Sequence, residues 1–120
     1  MSKQSLGRWG EHVAEVYLDK KGYEFIARNV RSSYGEIDLV ARQGDEIVFI
    51  EVKTRTNRAY GMPEEAVTPL KLSHLEACIQ DWIQNHPEHS QMQYRIDVIA
   101  IQLSRGGRSP QIEHFENVVR

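Results

Sequence analysis

The sequence contains one cysteine, Cys78, in 120 residues. That excludes an intramolecular disulfide framework and any multi-cysteine zinc centre, so a metal site would have to be built from carboxylates or histidines. No apolar run approaches the roughly 18 residues that a membrane span requires, and the first ten residues, MSKQSLGRWG, lack the apolar stretch of a signal peptide. A cytoplasmic location with no membrane partner is the expectation. An excess of positive charge is missing too: 15 Lys and Arg stand against 17 Asp and Glu, a net charge of −2. Residues 1–60 carry 10 cations against 9 anions, and residues 61–120 carry 5 against 8. A phosphate-binding surface must therefore be a local patch rather than a whole-protein field. There is no internal repeat and no low-complexity segment. What remains, 40% hydrophobic and 27% charged residues, is ordinary for a folded chain, and 120 residues suit a single domain spanning 1–120.

Leu6, Trp9, Val13, Val16 and Tyr17 recur at helical spacing and Gly22 follows them, which predicts an amphipathic helix over 5–21 with a glycine stop. Residues 23–30, 36–42 and 46–54 are rich in Ile, Val, Phe and Tyr and are separated by Ser32-Ser-Tyr-Gly35 and Gly44-Asp45, so three consecutive strands with short turns are expected. Residues 54–62 are polar and basic, a loop. Thr68-Pro69 offers an N-cap and a proline at the first helical position. Leu72, Leu75, Ile79, Trp82 and Ile83 then mark a helical face that ends near His86-Pro87. Residues 94–103 read as a further strand, and 112–118 as a last edge strand. The order α-β-β-β-α-β-(β) predicts an α/β fold: a mixed sheet with an antiparallel meander, flanked by helices, and a right-handed crossover from the third strand to the fourth.

The third strand, Glu46-Ile-Val-Phe-Ile-Glu-Val-Lys-Thr54, is apolar through its middle and ends on charge. With a period of two, Ile47, Phe49, Glu51 and Lys53 share a face, and Glu51 and Lys53 lie about 7 Å apart along it. On the second strand Glu36, Asp38, Val40 and Arg42 share a face. A two-residue primed turn at Gly44-Asp45 pairs Gln43 with Glu46 and Val40 with Phe49. It also sets Asp38 directly opposite Glu51, and Glu36 opposite Lys53. Two carboxylates about 5 Å apart repel unless a cation lies between them. Magnesium or manganese, hard cations that keep positions open for water and phosphate, would meet that need. A salt-bridge ladder at a solvated sheet end is the other reading of these charges.

These residues resemble a known pattern. Gly35-Glu36-Ile37-Asp38-Leu39 followed by Glu51-Val52-Lys53 is similar to the bipartite signature of the PD-(D/E)XK, restriction-endonuclease-like, nuclease superfamily. More narrowly, Gly7-x-x-Gly10-Glu11, Arg28-Asn29, Gly35-Glu36-Ile37-Asp38, Glu51-Val52-Lys53-Thr54-Arg55 and Arg95-Ile96-Asp97-Val98 resemble the bacterial YraN-like family, allied to archaeal Holliday-junction resolvases. The similarity spans about residues 7–101. It implies a restriction-endonuclease-like α-β-β-β-α-β core and a metal-dependent endonuclease acting on DNA, including branched or structured DNA. By motif match Asp38, Glu51 and Glu11 would hold Mg²⁺ or Mn²⁺, and Lys53 would orient the attacking water or stabilise charge on the phosphate. Ile37 stands where the superfamily's name has proline. The rival reading is a catalytically inactive nucleic-acid-binding or scaffolding protein on the same fold.

The residues around this core leave alternatives open. Glu11 projects about 20° from Leu18, at the edge of the apolar arc of the first helix, where it either turns to the sheet or stays solvated. Arg55 and Arg58, in the basic run after Lys53, suit backbone phosphate, and a solvated loop is the alternative. Lys71, near the apolar face of the second helix, either reaches inward to a phosphate or snorkels over the core. Asp97 is either a supporting acid or an ion-pair partner. His86 and His89 lack further ligands for zinc. Cys78, Trp9 and Trp82 read as core residues. Cutting both strands of a duplex demands two active sites, so an enzyme of this size would work as a symmetric homodimer.

Overall fold

The computed structural model describes residues 2–56, 68–103 and 109–119. Helix α1 spans Lys3–Lys20, with Ser2 as N-cap accepting from the Ser5 amide. It is followed by β1 (Glu24–Ser32), β2 (Gly35–Gln43), β3 (Glu46–Arg55), α2 (Pro69–Gln84), a 3₁₀ turn at Pro87–His89, β4 (Gln93–Gln102) and β5 (Gln111–Phe115). The strands form one sheet in the order β1-β2-β3-β4-β5. The first three are an antiparallel meander, β4 runs parallel to β3, and β5 returns antiparallel at the edge. This is the α/β architecture that the periodicity predicts, and no described helix is long and apolar enough to cross a membrane.

The two helices take opposite faces. Gly10, Ala14 and Leu18, four residues apart, are the buried stripe of α1, and Ala14 and Leu18 pack with Leu39, Ala41, Val48, Ile50, Ile99 and Ile101. Leu75, Cys78, Ile79 and Trp82 of α2 cover Val40, Ile47, Phe49 and Ile96 on the other face. Strands β3 and β4 are thus buried on both sides, which is why they are apolar through their middles. Cys78 is fully buried and Trp82 nearly so, as core residues. Trp9 packs at the margin of the α1 cluster, and His86 and His89 stack on Trp82.

The element ends move where local chemistry decides them. Lys21 caps α1 and Gly22 turns the chain at φ +85°. Strand β1 runs on to Ser32, which pairs with Gly35, so the turn narrows to Ser33-Tyr34. Asn29 sits inside β1 at φ +50°, a left-handed conformation that asparagine tolerates better than most residues. Strand β5 stops at Phe115 rather than Val118, because Asn117 also turns left-handed and gives its amide to Asp97.

The Gly44-Asp45 turn forms as expected, with Gln43 opposite Glu46 and Val40 opposite Phe49. The further pairing of Asp38 with Glu51 and of Glu36 with Lys53 does not form, since the β2–β3 ladder ends at Leu39–Ile50. Strand β3 continues alongside β4 to Arg55, opposite Gln102, so Arg55 is the last strand residue rather than part of the loop. Ile37 and Val40, which strict alternation would put on opposite faces, both join the α2 cluster. Strand β2 therefore loses its regular alternation where it leaves β3.

Close packing of α1 against the end of β3 requires a glycine. A Cβ at Gly10 would collide with Oγ1 of Thr54. Gly10→Ala should lower the unfolding free energy in urea by about 1–3 kcal/mol, the usual cost of overpacking. The double variant with Thr54→Ala should recover most of the loss. Unchanged stability in Gly10→Ala would contradict this packing.

Candidate metal and phosphate site

The site lies where β2 and β3 part. In a continued ladder, the Val52 amide would face the backbone of β2. Instead it donates to Oδ2 of Asp38 at 2.8 Å, so a side chain takes the place of a main-chain acceptor. Glu51, one residue earlier, is only 8% exposed at the core margin. Its Oε1 accepts Lys53 at 3.2 Å from the same strand and Lys71 at 2.7 Å from the first turn of α2. That turn is fixed by the Thr68 cap, whose hydroxyl accepts the Lys71 amide. Lys71 thus reaches inward rather than lying over the core, and its partner here is the Glu51 carboxylate.

Glu11 enters from α1. With the Asn29 amide oriented to satisfy its surroundings, Nδ2 donates to Oε1 of Glu11 at 3.0 Å and to Oε1 of Glu36 at 3.1 Å. Glu36 also lies 3.9 Å from Arg31 on β1 rather than beside Lys53. The role of Asn29 is invisible in the sequence, because it depends on a left-handed backbone inside a strand.

The electrostatics follow from this crowding. Burial, and then the neighbouring Glu51 charge, push the Asp38 carboxyl up from 3.8 to about 7, against the opposing Val52 hydrogen bond. Glu11 and Glu36 add to the rise. Burial and the nearby Glu36 charge raise Glu11 as well, in part offset by Asn29. Burial and the adjacent Lys71 hold Lys53 below its ordinary value, although Glu51 opposes them. Burial works against the Lys71 ammonium, but its hydrogen bond to Glu51, helped by Lys53 and the Asp38 charge, raises it overall. Glu11, Asp38 and Glu51 are in electrostatic reach of one another, yet their ligand atoms do not all close to within 4.8 Å. The set is therefore open, with each acid partly engaged by an amide or an ammonium. Arg55 keeps a buried Nε without a hydrogen-bond partner among the described residues. Arg58 lies outside the described residues.

A second cluster forms around the first half of β4. Asp97, His114 and Glu116 bring one ligand atom each to within 4.8 Å of one another, a set that could hold a metal ion. A cation is already there. The Arg95 guanidinium donates to Asp97 at 3.0 Å, Glu46 at 2.9 Å, Gln43 and Tyr23 at 2.8 Å, and Glu116 at 3.1 Å. His114 Nε2 lies 2.7 Å from the fully buried Asp97, and Tyr17 bonds its Nδ1. Burial would raise the Asp97 carboxyl, but hydrogen bonds from His114, Arg95 and the Asn117 amide hold it below its ordinary value. Asp97 is thus the ion-pair partner of Arg95. An ion at this cluster would have to displace a guanidinium that already satisfies both carboxylates. A buried acid in mid-strand signals such a network in the sequence, but its partners Tyr23, Gln43, Glu46 and His114 come from distant positions.

Comparison with known proteins follows from this geometry. The model of the family described as Uncharacterised protein family UPF0102 matches residues 10–101, which meets the YraN-like resemblance. A UPF0102 protein of Beutenbergia cavernae is 44% identical over 117 residues, covering 98% of each chain. One of Rhodococcus opacus is 46% identical over 113 residues, 94% of each. One of Pelotomaculum thermopropionicum is 40% identical over 116 residues, covering 97% of this chain and 96% of its own.

The raised Asp38 pKa has a signed consequence. Between pH 4 and 7 the folded protein keeps a proton on Asp38 that the unfolded chain has lost, so this group makes stability fall as pH rises through that window. Below it both states are protonated, and above it the full cost of the buried charge is present. Asp38→Asn should flatten that fall and be more stable than the native protein at pH 8 by about 1–3 kcal/mol. Urea unfolding at pH 4 through 8 measures both. A variant less stable at pH 8 would contradict the like-charge account.

Proposed function

For this chain, which belongs to the uncharacterised protein family UPF0102, we propose a metal-dependent endonuclease of the PD-(D/E)XK type that hydrolyses phosphodiester bonds in DNA in the cytoplasm. The observation that carries the proposal is the raised carboxyl of Asp38 at the parting of β2 and β3, beside Glu51 and Glu11. A buried group with a strongly shifted pKa and specific charged neighbours is what functional sites are built from. The donor set fits the expected ion. Asp38, Glu51 and Glu11 offer hard carboxylate oxygens from three elements, the chemistry that Mg²⁺ or Mn²⁺ selects.

A divalent ion bound there would supply Lewis acidity toward a phosphoryl oxygen and a water of lowered pKa. The rest falls to side chains. Lys53 places fixed positive charge beside Glu51, where it orients the attacking water or stabilises the charge that builds on the phosphate as one P–O bond forms and another breaks. Lys71 lies against Glu51, and Arg55, at the end of β3 with an Nε donor unpaired among the described residues, would with it hold backbone phosphate, as Arg58 would from the loop that follows. On a duplex two such sites are needed, so a symmetric homodimer is part of the proposal.

One observation favours a second reading, a nucleic-acid-binding protein without turnover. The carboxylates do not close to a tight trio, and two lysines sit on Glu51. The two readings separate on a panel of linear, flapped and four-way DNA substrates with Mg²⁺ or Mn²⁺ and a metal-free control. The nuclease cleaves at least one of them, only with metal. Lys53→Ala should then depress the cleavage rate far more than DNA affinity, the pattern of a group used in the transition state. Arg55→Ala should weaken binding to every substrate and reduce the salt dependence by about one phosphate contact. Binding without cleavage on the whole panel would leave the second reading.

A further inference from the structure

Glu51 already has a cation on it, and that cation comes from a different element. The Lys71 ammonium rests 2.7 Å from Oε1 of Glu51, closer than Lys53 at 3.2 Å. Lys53 stands two residues along the same strand, has a side chain 19% exposed and cannot move far from its neighbour. Lys71 belongs to α2, extends across to the end of β3 on a four-carbon stem, and is 33% exposed, so it has solvent to move into. On the opposite side, Asn29 ties Glu11 to Glu36 rather than to Asp38. The acids are thus held by donors of the chain itself: an ammonium neutralises the acid of β3, and an amide holds the acid of α1.

We propose that Lys71 is the counter-cation of Glu51, and that a divalent ion would take Glu51 from it and release its ammonium toward the substrate phosphate. This rests on the metal-binding reading of Asp38 and Glu51. Oε1 of Glu51 is already shared by two ammoniums, and a doubly charged ion outcompetes a monovalent ammonium for a carboxylate pair. The released lysine would then stand free beside a newly bound ion. Metal loading and phosphate binding are coupled by the exchange: without metal, Lys71 is spent on Glu51, and with metal it faces the DNA. The coupling is reciprocal, so DNA that engages Lys71 would in turn favour the ion.

The test reads Lys71 itself. The protein is treated briefly with an amine-acylating reagent with and without Mg²⁺, and labelling at each lysine is quantified by mass spectrometry. Calorimetry with Mg²⁺ and Mn²⁺ is run in parallel on the same material. Saturating Mg²⁺ should raise labelling at Lys71 severalfold while leaving Lys20 unchanged. Glu51→Gln should raise it without any metal. Lys71→Met, which keeps the stem and removes the competitor, should bind Mn²⁺ about tenfold more tightly, equivalent to about 1.4 kcal/mol. If calorimetry records binding and Lys71 labelling does not rise, this exchange is wrong and the metal site stands. If no ion binds, the metal site itself falls and the exchange with it.

Discussion

One hydrogen bond shapes the candidate site: the Val52 amide donates to the carboxylate of Asp38 instead of to the backbone of β2. A sheet whose ladder ran on would bury that amide against another strand and leave no room between β2 and β3. With a side chain as acceptor, β2 is free to leave after Leu39, while β3 continues along β4 to Arg55. The opening lies at the margin of two apolar clusters, so the acids that line it are poorly hydrated. The cost of ionising Asp38 there is the direct consequence of where the sheet divides.

The two polar clusters of the protein illustrate how the same residue types serve opposite ends. Around Arg95, a guanidinium with its donors engaged by five side chains balances Asp97, Glu46 and Glu116, and ties together the turn between α1 and β1, the strands β2, β3 and β4, and the segment after β5. Such an arrangement fixes a geometry and leaves little for a ligand. Around Asp38 the balance fails. Four carboxylates, Glu11, Glu36, Asp38 and Glu51, are in electrostatic reach of one another, and Asp38 and Glu11 are raised by that company. A cluster that is satisfied within itself supports a fold, whereas one whose carboxylates outnumber the cations on them, Lys53 and Lys71 on Glu51 and Arg31 near Glu36, is suited to receive more positive charge from outside.

Much of this was written in local patterns. Alternation and helical spacing predicted every major element, the N-cap at Thr68 and the turn at Gly44-Asp45, because each is set by neighbours in sequence. The ionic gradient along β2 and β3 singles out Asp38 and Glu51 from the sequence alone. The direct Asp38–Glu51 pairing was misjudged because register was extrapolated past the point where a side chain replaces the ladder, which alternation cannot register. The inward reach of Lys71 is one of two directions that the helix pattern leaves open, and the bridge from Asn29 is out of view: one depends on how α2 sits over the end of β3, and the other on a left-handed residue in mid-strand. Apart from Arg95 on its own strand, the partners of Asp97 come from β5 and the segment after it, and only tertiary packing brings them together.

The account turns on where a divalent ion binds. The most direct measurement is the anomalous scattering of Mn²⁺ in crystals of the protein grown or soaked with the ion at neutral pH or above, where Asp38 is ionised. The account predicts one strong peak between Asp38 and Glu51, with Glu11 drawn toward it, and none at Asp97, His114 and Glu116, where Arg95 holds the place. A peak at that second cluster with nothing beside Asp38, or no peak at either, would contradict it.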